Sequence, residues 1–223
     1  MRMLGRTASA LGLACLAQAT SLSAQSTGLE TFKWYLGAQV GATIFETPTQ
    51  TKGAIFTGGG HLLVTAKRTG LLLSVEQGFA KNQSSSFADA SVVGGSRAVA
   101  FTDLRKYSAT ILAFPFKSAA QPYVGLGLGY LHTRKETPAG PFATTAEQQN
   151  ATATAHRLGG YGFGSLVGGI QFRLNRFMLF GQYQITSSPS DGKLLTGPTH
   201  TFTGGIRFSL GNAREGVNGQ GGS

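Results

Sequence analysis

From residue 32 onward the chain alternates apolar residues with small or polar ones at a period of two. Trp34, Leu36, Ala38, Val40, Ala42 and Ile44 fall on one parity, and Tyr35, Gly37, Gln39, Gly41 and Thr43 on the other. Successive side chains of a strand point to opposite faces, so this run predicts a strand with one apolar face. It is long for a strand of a soluble protein and suits one that crosses a bilayer at a tilt.

The same pattern recurs in residues 53–68, 70–81, 98–116, 123–132, 157–174, 177–185 and 199–210, giving eight predicted strands. The clearest is the fifth, with Val124, Leu126, Leu128 and Tyr130 set against Gly125, Gly127 and Gly129. The fourth does not declare its facing, because Ile111 and Leu112 are both apolar. Short turns are expected near residues 67–70, 117–121 and 175–176, and longer polar loops near 47–52, 82–97, 133–156 and 187–198. Short turns on one side and long loops on the other, with an even strand number, are the habit of bacterial membrane barrels. The predicted fold is therefore all-β: an eight-stranded antiparallel up-and-down transmembrane β-barrel over residues 32–210, with both of its ends on the short-turn, periplasmic side.

Composition narrows the choice. Charged residues are 13% of the 223, about half the share usual in soluble domains. A soluble lipocalin-like barrel with its apolar parity inside would need that charge on its outer face. No stretch beyond the first residues is apolar for the roughly 18 residues that a spanning helix needs. A closed barrel is the other structure that satisfies every backbone group in lipid. Arg2 and Arg6, the apolar run 8–19 and the small residues before Gln25 read as a signal peptide over residues 1–24, followed by a linker, 25–31. Residues 211–223, rich in Gly and Asn, read as a flexible tail. The only cysteine, Cys15, lies in the leader, so the exported chain would carry no disulfide. The formal net charge of +10 comes from basic residues scattered among turns and loops. With an export signal, that argues for the phosphates of an outer-leaflet glycolipid and against nucleic acid.

Candidate chemistry is sparse. Gly125, Gly127 and Gly129 are spaced strictly by two, so they share one strand face and make room in a narrow lumen rather than cradling a nucleotide. The lumen parity carries a polar set that includes Gln39, Glu76, Gln171, Arg173 and Arg207. A carboxylate inside a barrel needs a base, so Glu76 is expected to meet Arg207, Arg173 or another cation in a structural ion pair. Aromatics near the strand ends, among them Trp34, Phe114 or Phe116, Tyr123 and Phe208 on one side and Phe45, Phe56 and Phe79 on the other, suggest two interfacial girdles. His61, His132, His156 and His200 show no metal-ligand spacing, and no Ser–His–acid arrangement is evident. The sequence therefore assigns no catalytic, cofactor or metal residue.

The last strand holds the most specific motif. Thr203-x-Gly205-x-x-Phe208-x-Leu210 resembles the assembly signal of bacterial outer-membrane barrels, and the run from Pro122 to Tyr130 is similar to their fifth strands. Residues 32–210 as a whole resemble the outer-membrane β-barrel domain family, the small OmpA/OmpX/OmpW-like group. That resemblance implies an outer-membrane location and insertion by the barrel assembly machinery, and it implies no particular activity. Some small barrels deacylate lipid A with a His-x-Ser arrangement on one strand face; here Thr133 and Arg134 follow His132, and no His-x-Ser occurs. The function expected is non-enzymatic, structural or surface-interacting through external loops. The alternatives are a narrow channel for small or apolar solutes and a lipid-modifying enzyme.

Overall fold

The computed structural model describes residues 31–214 except Lys117. The predicted signal peptide, most of the linker and residues 215–223 lie outside the described residues. The elements are β1 (Thr31–Thr47), β2 (Gln50–Ala66), β3 (Thr69–Ala88), β4 (Ser96–Ala113), β5 (Ala120–Arg134), a short β6 (Thr137–Pro138), the helix α1 (Thr145–Leu158), β7 (Gly160–Leu174), β8 (Phe177–Thr186) and β9 (Thr196–Arg214). Each long strand pairs antiparallel with the next, and β9 returns to β1, where Leu36 faces Phe208. The result is a closed eight-stranded barrel. Closure leaves no strand edge to be satisfied by lipid.

The apolar parity faces outward. Leu36, Val40, Phe56, Ile111, Leu126 and Leu166 are among many large apolar side chains exposed around the wall. An apolar band this extensive is the lipid-facing belt of a transmembrane barrel. Among the described residues no helix is long and apolar enough to cross a membrane; strands make the crossing.

The other parity fills the lumen in layers. Near the short turns Tyr35, Leu63, Leu72, Phe114, Tyr123 and Met178 pack together. Towards the opposite end Phe45, Ile55, Phe101, Leu104, Leu131 and Phe163 form a second apolar layer. Polar side chains occupy the space between. Phe45, Phe114 and Tyr123 therefore belong to the lumen and not to the girdles, whereas Trp34, Phe56, Phe79 and Phe208 do face outward.

Four features change or complete the sequence reading. The connection between β1 and β2 is only Pro48 and Thr49, so the long loop expected over 47–52 is a tight turn. In β4 the phase shifts: Phe79 faces Asp103 but Gln83 faces Phe101, so three residues of β3 bulge against one of β4. Phe101 and Leu104 both point inward as a result, and further along Leu112 points inward while Ile111 points out. The stretch read as a loop over 133–156 holds most of α1, which the sequence reading missed; the helix ends at Leu158, so the strand expected from 157 starts at Gly160. Thr144 caps it, accepting from Glu147 N–H at 3.1 Å. At the other end, β9 runs on to Arg214 and pairs with the start of β1.

Candidate functional site

Two polar clusters fill the middle of the lumen. In the first, Lys106 Nζ of β4 lies 2.7 Å from Glu76 Oε2 of β3. Gln39 Nε2 donates to the other Glu76 oxygen at 2.6 Å. Lys106 also donates to Gln184 Oε1 at 2.7 Å and to Thr201 Oγ1 at 3.0 Å. Five strands thus converge on one ion pair, and its charges are compensated on both sides. In the second cluster Arg207 Nη1 donates to Gln171 Oε1 at 2.6 Å, and Nε donates to His61 Nε2 at 3.0 Å. The acceptor role of His61 Nε2 puts the ring hydrogen on Nδ1. The guanidinium also lies 3.9 Å from the centroid of the Phe180 ring. Neutral acceptors and an aromatic face, rather than a carboxylate, hold this buried cation.

Of the seven polar residues that the alternation assigns to the lumen (Gln182 and Gln184 are the other two), Gln39, Glu76, Gln171, Gln184 and Arg207 are buried inside, and Gln182, partly buried, accepts from the Tyr123 hydroxyl. Arg173 is exposed at the short-turn rim, beside a cavity of about 50 Å³. The base that meets Glu76 is Lys106, which the sequence could not place because the facing of its strand was open. The assembly-signal positions divide between faces: Thr203 and Gly205 look into the lumen, Phe208 and Leu210 look out. Gly205 is needed where it stands, since a side chain there would meet the Ala38 carbonyl of the neighbouring strand. Gly127 behaves likewise: a Cβ at that position would come within 2.5 Å of Thr110 Oγ1.

The end opposite the short turns carries an ordered cap. β3 and β4 continue past the apolar belt and are joined by residues 89–95. α1 rests on their inner side, where Ala151 and Ala155 pack with Phe87, Val99 and Leu194. Arg97 ties the cap together. Its Nε donates to Asp89, its Nη2 donates to Glu147 Oε1 at 2.7 Å, and its Nη1 donates to the Ala139 carbonyl at 2.8 Å. The Phe142 ring lies over the guanidinium at 4.5 Å. Hydrogen bonds from Arg97 and then Ser91 pull the Asp89 carboxyl down to about 2. The Glu147 carboxyl is also lowered, first by the Ala143 N–H and further by Arg97. Nothing in the sequence pattern marked these residues as a group. The T-x-x-E spacing of Thr144 and Glu147 is the one signal that could have located the helix start.

The remaining histidines lie apart from the lumen. His200 Nδ1 is 2.6 Å from the Tyr183 hydroxyl. His132 and His156 are brought together near the cap, their ring centroids 4.7 Å apart.

No family model matches the chain, and no curated protein matches its sequence. Among solved structures it is similar to the crystal structure of Neisserial surface protein A, with a TM-score of 0.53 and 9% identity over 78% of this chain and 96% of that one. It also matches the N-terminal β-barrel domain of Pseudomonas aeruginosa OprF, with a TM-score of 0.42 and 12% identity over 79% of this chain and 97% of that one. The outer membrane protein OprG from Pseudomonas aeruginosa matches with a TM-score of 0.40 and 13% identity, over 81% and 93%. The fold is that of the small outer-membrane barrels.

Proposed function

We propose that this eight-stranded barrel of outer-membrane type is an exported, non-enzymatic surface protein, whose closed wall anchors a rigid cap for contact with an external partner. The observation that carries this reading is the filled lumen. Two apolar layers enclose a polar middle whose charged groups, Glu76, Lys106 and Arg207, are all engaged with neighbouring side chains. Narrow barrels of this strand number have interiors just wide enough for side chains, so a path for solute through the wall is not favoured. What is left to do work is the end that projects beyond the belt. There the Arg97 cluster and α1 give order where an idle loop would need none.

The membrane around the cap fits an outer leaflet. Lys52, Lys81, Arg134, Lys135 and Arg157 are exposed at that end. They suit the phosphates of a glycolipid. In this reading the signal peptide exports the chain, and the closing strand, with Thr203, Gly205, Phe208 and Leu210, addresses it to the barrel assembly machinery.

The test is conductance. The folded protein, reconstituted in a planar bilayer, is expected to give no discrete current steps, and cells displaying it are expected to expose residues 89–95 to added protease. Reproducible unitary currents would replace this reading with that of a narrow channel. Loss of acyl chains from glycolipid incubated with the pure protein would replace it with that of an enzyme.

A further inference from the structure

Folding brings His156 of the helix to His132 and Glu136, so that one donor atom from each of the three falls within 4.8 Å of the others. His132 is near the end of β5, Glu136 follows in the turn after it, and His156 is in the last turn of α1. We propose that these three side chains form a binding site for a divalent transition-metal ion, of the zinc or nickel class, at the loop end of the barrel.

The donor set sets the class of ion. Two imidazole nitrogens and one carboxylate oxygen, with a position left for water, is a zinc-type set. Imidazole donors favour such borderline ions over magnesium or calcium, which take oxygen. The geometry is close to what is needed. Zinc–ligand bonds of about 2.0–2.2 Å place tetrahedral donors roughly 3.5 Å apart, so the present 4.8 Å spread closes with about an ångström of movement. His156, with its side chain 65% exposed, is free to make it. Its Nδ1 already lies 3.4 Å from Glu136 Oε2.

Two further observations set this cluster apart from a chance meeting of surface groups. First, the ligands are held from behind. Thr133 Oγ1 donates to Glu136 Oε1 at 2.7 Å, which leaves Oε2 turned towards His156. A hydrogen bond of this kind is how an outer shell orients a metal-binding carboxylate. The Glu136 side chain is nearly buried, and His132 Nδ1 is buried without a hydrogen-bond partner. Second, the backbone beside it is stripped of side chains. A Cβ at Gly159 would press on Thr133 Oγ1 and come within 2.9 Å of Glu136 Oε1, and one at Gly160 would come within 3.2 Å of His132 Nδ1. The two glycines that join α1 to β7 thus leave the cluster its room. Arg105 and Arg134 are near enough to act on the His132 ring; the Glu136 carboxylate supplies the negative charge that a cation needs against them. An ion held there would staple the C-terminal turn of α1 to β5 and so fix the cap.

The test uses the full chain folded in detergent, without an oligohistidine tag and stripped with chelator. Titration calorimetry with ZnCl₂ and NiCl₂ is expected to give one equivalent bound, with MgCl₂ silent. His156→Ala and Glu136→Gln are each expected to weaken zinc binding by at least the roughly 10- to 100-fold that even an outer-shell partner commands. Both variants should keep the heat-modifiable migration of a folded barrel. Zinc should also slow proteolytic cleavage within residues 139–158 in the wild type and not in His156→Ala. Absence of zinc binding by the wild type, equal binding of magnesium, or binding undiminished in His156→Ala would overturn the proposal.

Discussion

Lys106 Nζ lies 2.7 Å from Glu76 Oε2 in the centre of the lumen, and the two side chains are only 2% and 4% exposed. A pair this deep matters most when one partner is removed and the other stays. Lys106→Met leaves a carboxylate buried without its cation and is expected to destabilise the barrel by about 3–5 kcal/mol. The double variant Glu76→Leu with Lys106→Met removes both charges and is expected to recover most of that loss. Urea midpoints of the barrel folded in lipid vesicles check both outcomes. Equal losses in the single and double variants would show that packing, not charge, sets the cost.

Gly127 and Gly181 sit on opposite faces of the wall and should respond in opposite ways. A Cβ on Gly127 would come within 2.5 Å of Thr110 Oγ1 and 2.9 Å of Ser165 Oγ, whereas one on Gly181 would meet nothing within 4 Å. Gly127→Ala is expected to cost about 1–3 kcal/mol through overpacking. Gly181→Ala should stay within about 0.5 kcal/mol of the wild type. The same vesicle unfolding assay reads both.

Leu126 is 67% exposed near the middle of β5. Leu126→Arg would place a cation in hydrocarbon and is expected to cost about 2–4 kcal/mol, the penalty for a charge at the bilayer midplane. At an exposed site of a water-soluble barrel it would cost almost nothing. The comparison of folding yields in lipid vesicles therefore tests the facing of the whole wall.

The cap should loosen in acid. The Asp89 carboxyl is lowered from 3.8 to about 2 by Arg97 and Ser91. A lowered carboxylate stabilises the folded cap fully above its ordinary value, and that stabilisation is lost as pH falls through the folded one. Protection of the amides of residues 89–97, relative to the unfolded chain at the same pH, is thus expected to be constant down to about pH 4 and to fall between about pH 4 and pH 2. Asp89→Asn should shrink that step to the part set by Glu147 and lower protection at neutral pH.

The alternation of the sequence revealed most of the wall and little of the cap, for a physical reason. Where a strand lies between lipid and lumen, its two faces meet different surroundings, and the side chains record it: Val124, Leu126 and Leu128 out, Gly125, Gly127 and Gly129 in. Beyond the belt both faces of the same strands meet water or the cap. Gln83, Ser84, Ser85 and Ser86 still pair with β4, but they carry no apolar parity and read as loop. The lumen was half legible. Gln39, Glu76, Gln171 and Arg207 lie on the polar parity, but Lys106 follows a bulge that shifts the phase, and a bulge leaves no mark in a count of two. His132, Glu136 and His156 could not be grouped from sequence, because their meeting depends on how α1 folds back over β5.

The pairing of Leu36 with Phe208 joins the first strand to the last, and it governs when this protein can exist as a folded object. Until the final strand has been made, β1 has one row of amides with nothing to bind. No subset of the hairpins can shut the wall without it. Contacts so distant along the chain form slowly, and the unfinished wall would meanwhile offer an open edge to any passing strand. Synthesis must therefore be complete before closure begins, and throughout the delay the first strand keeps an edge that only the last can cover.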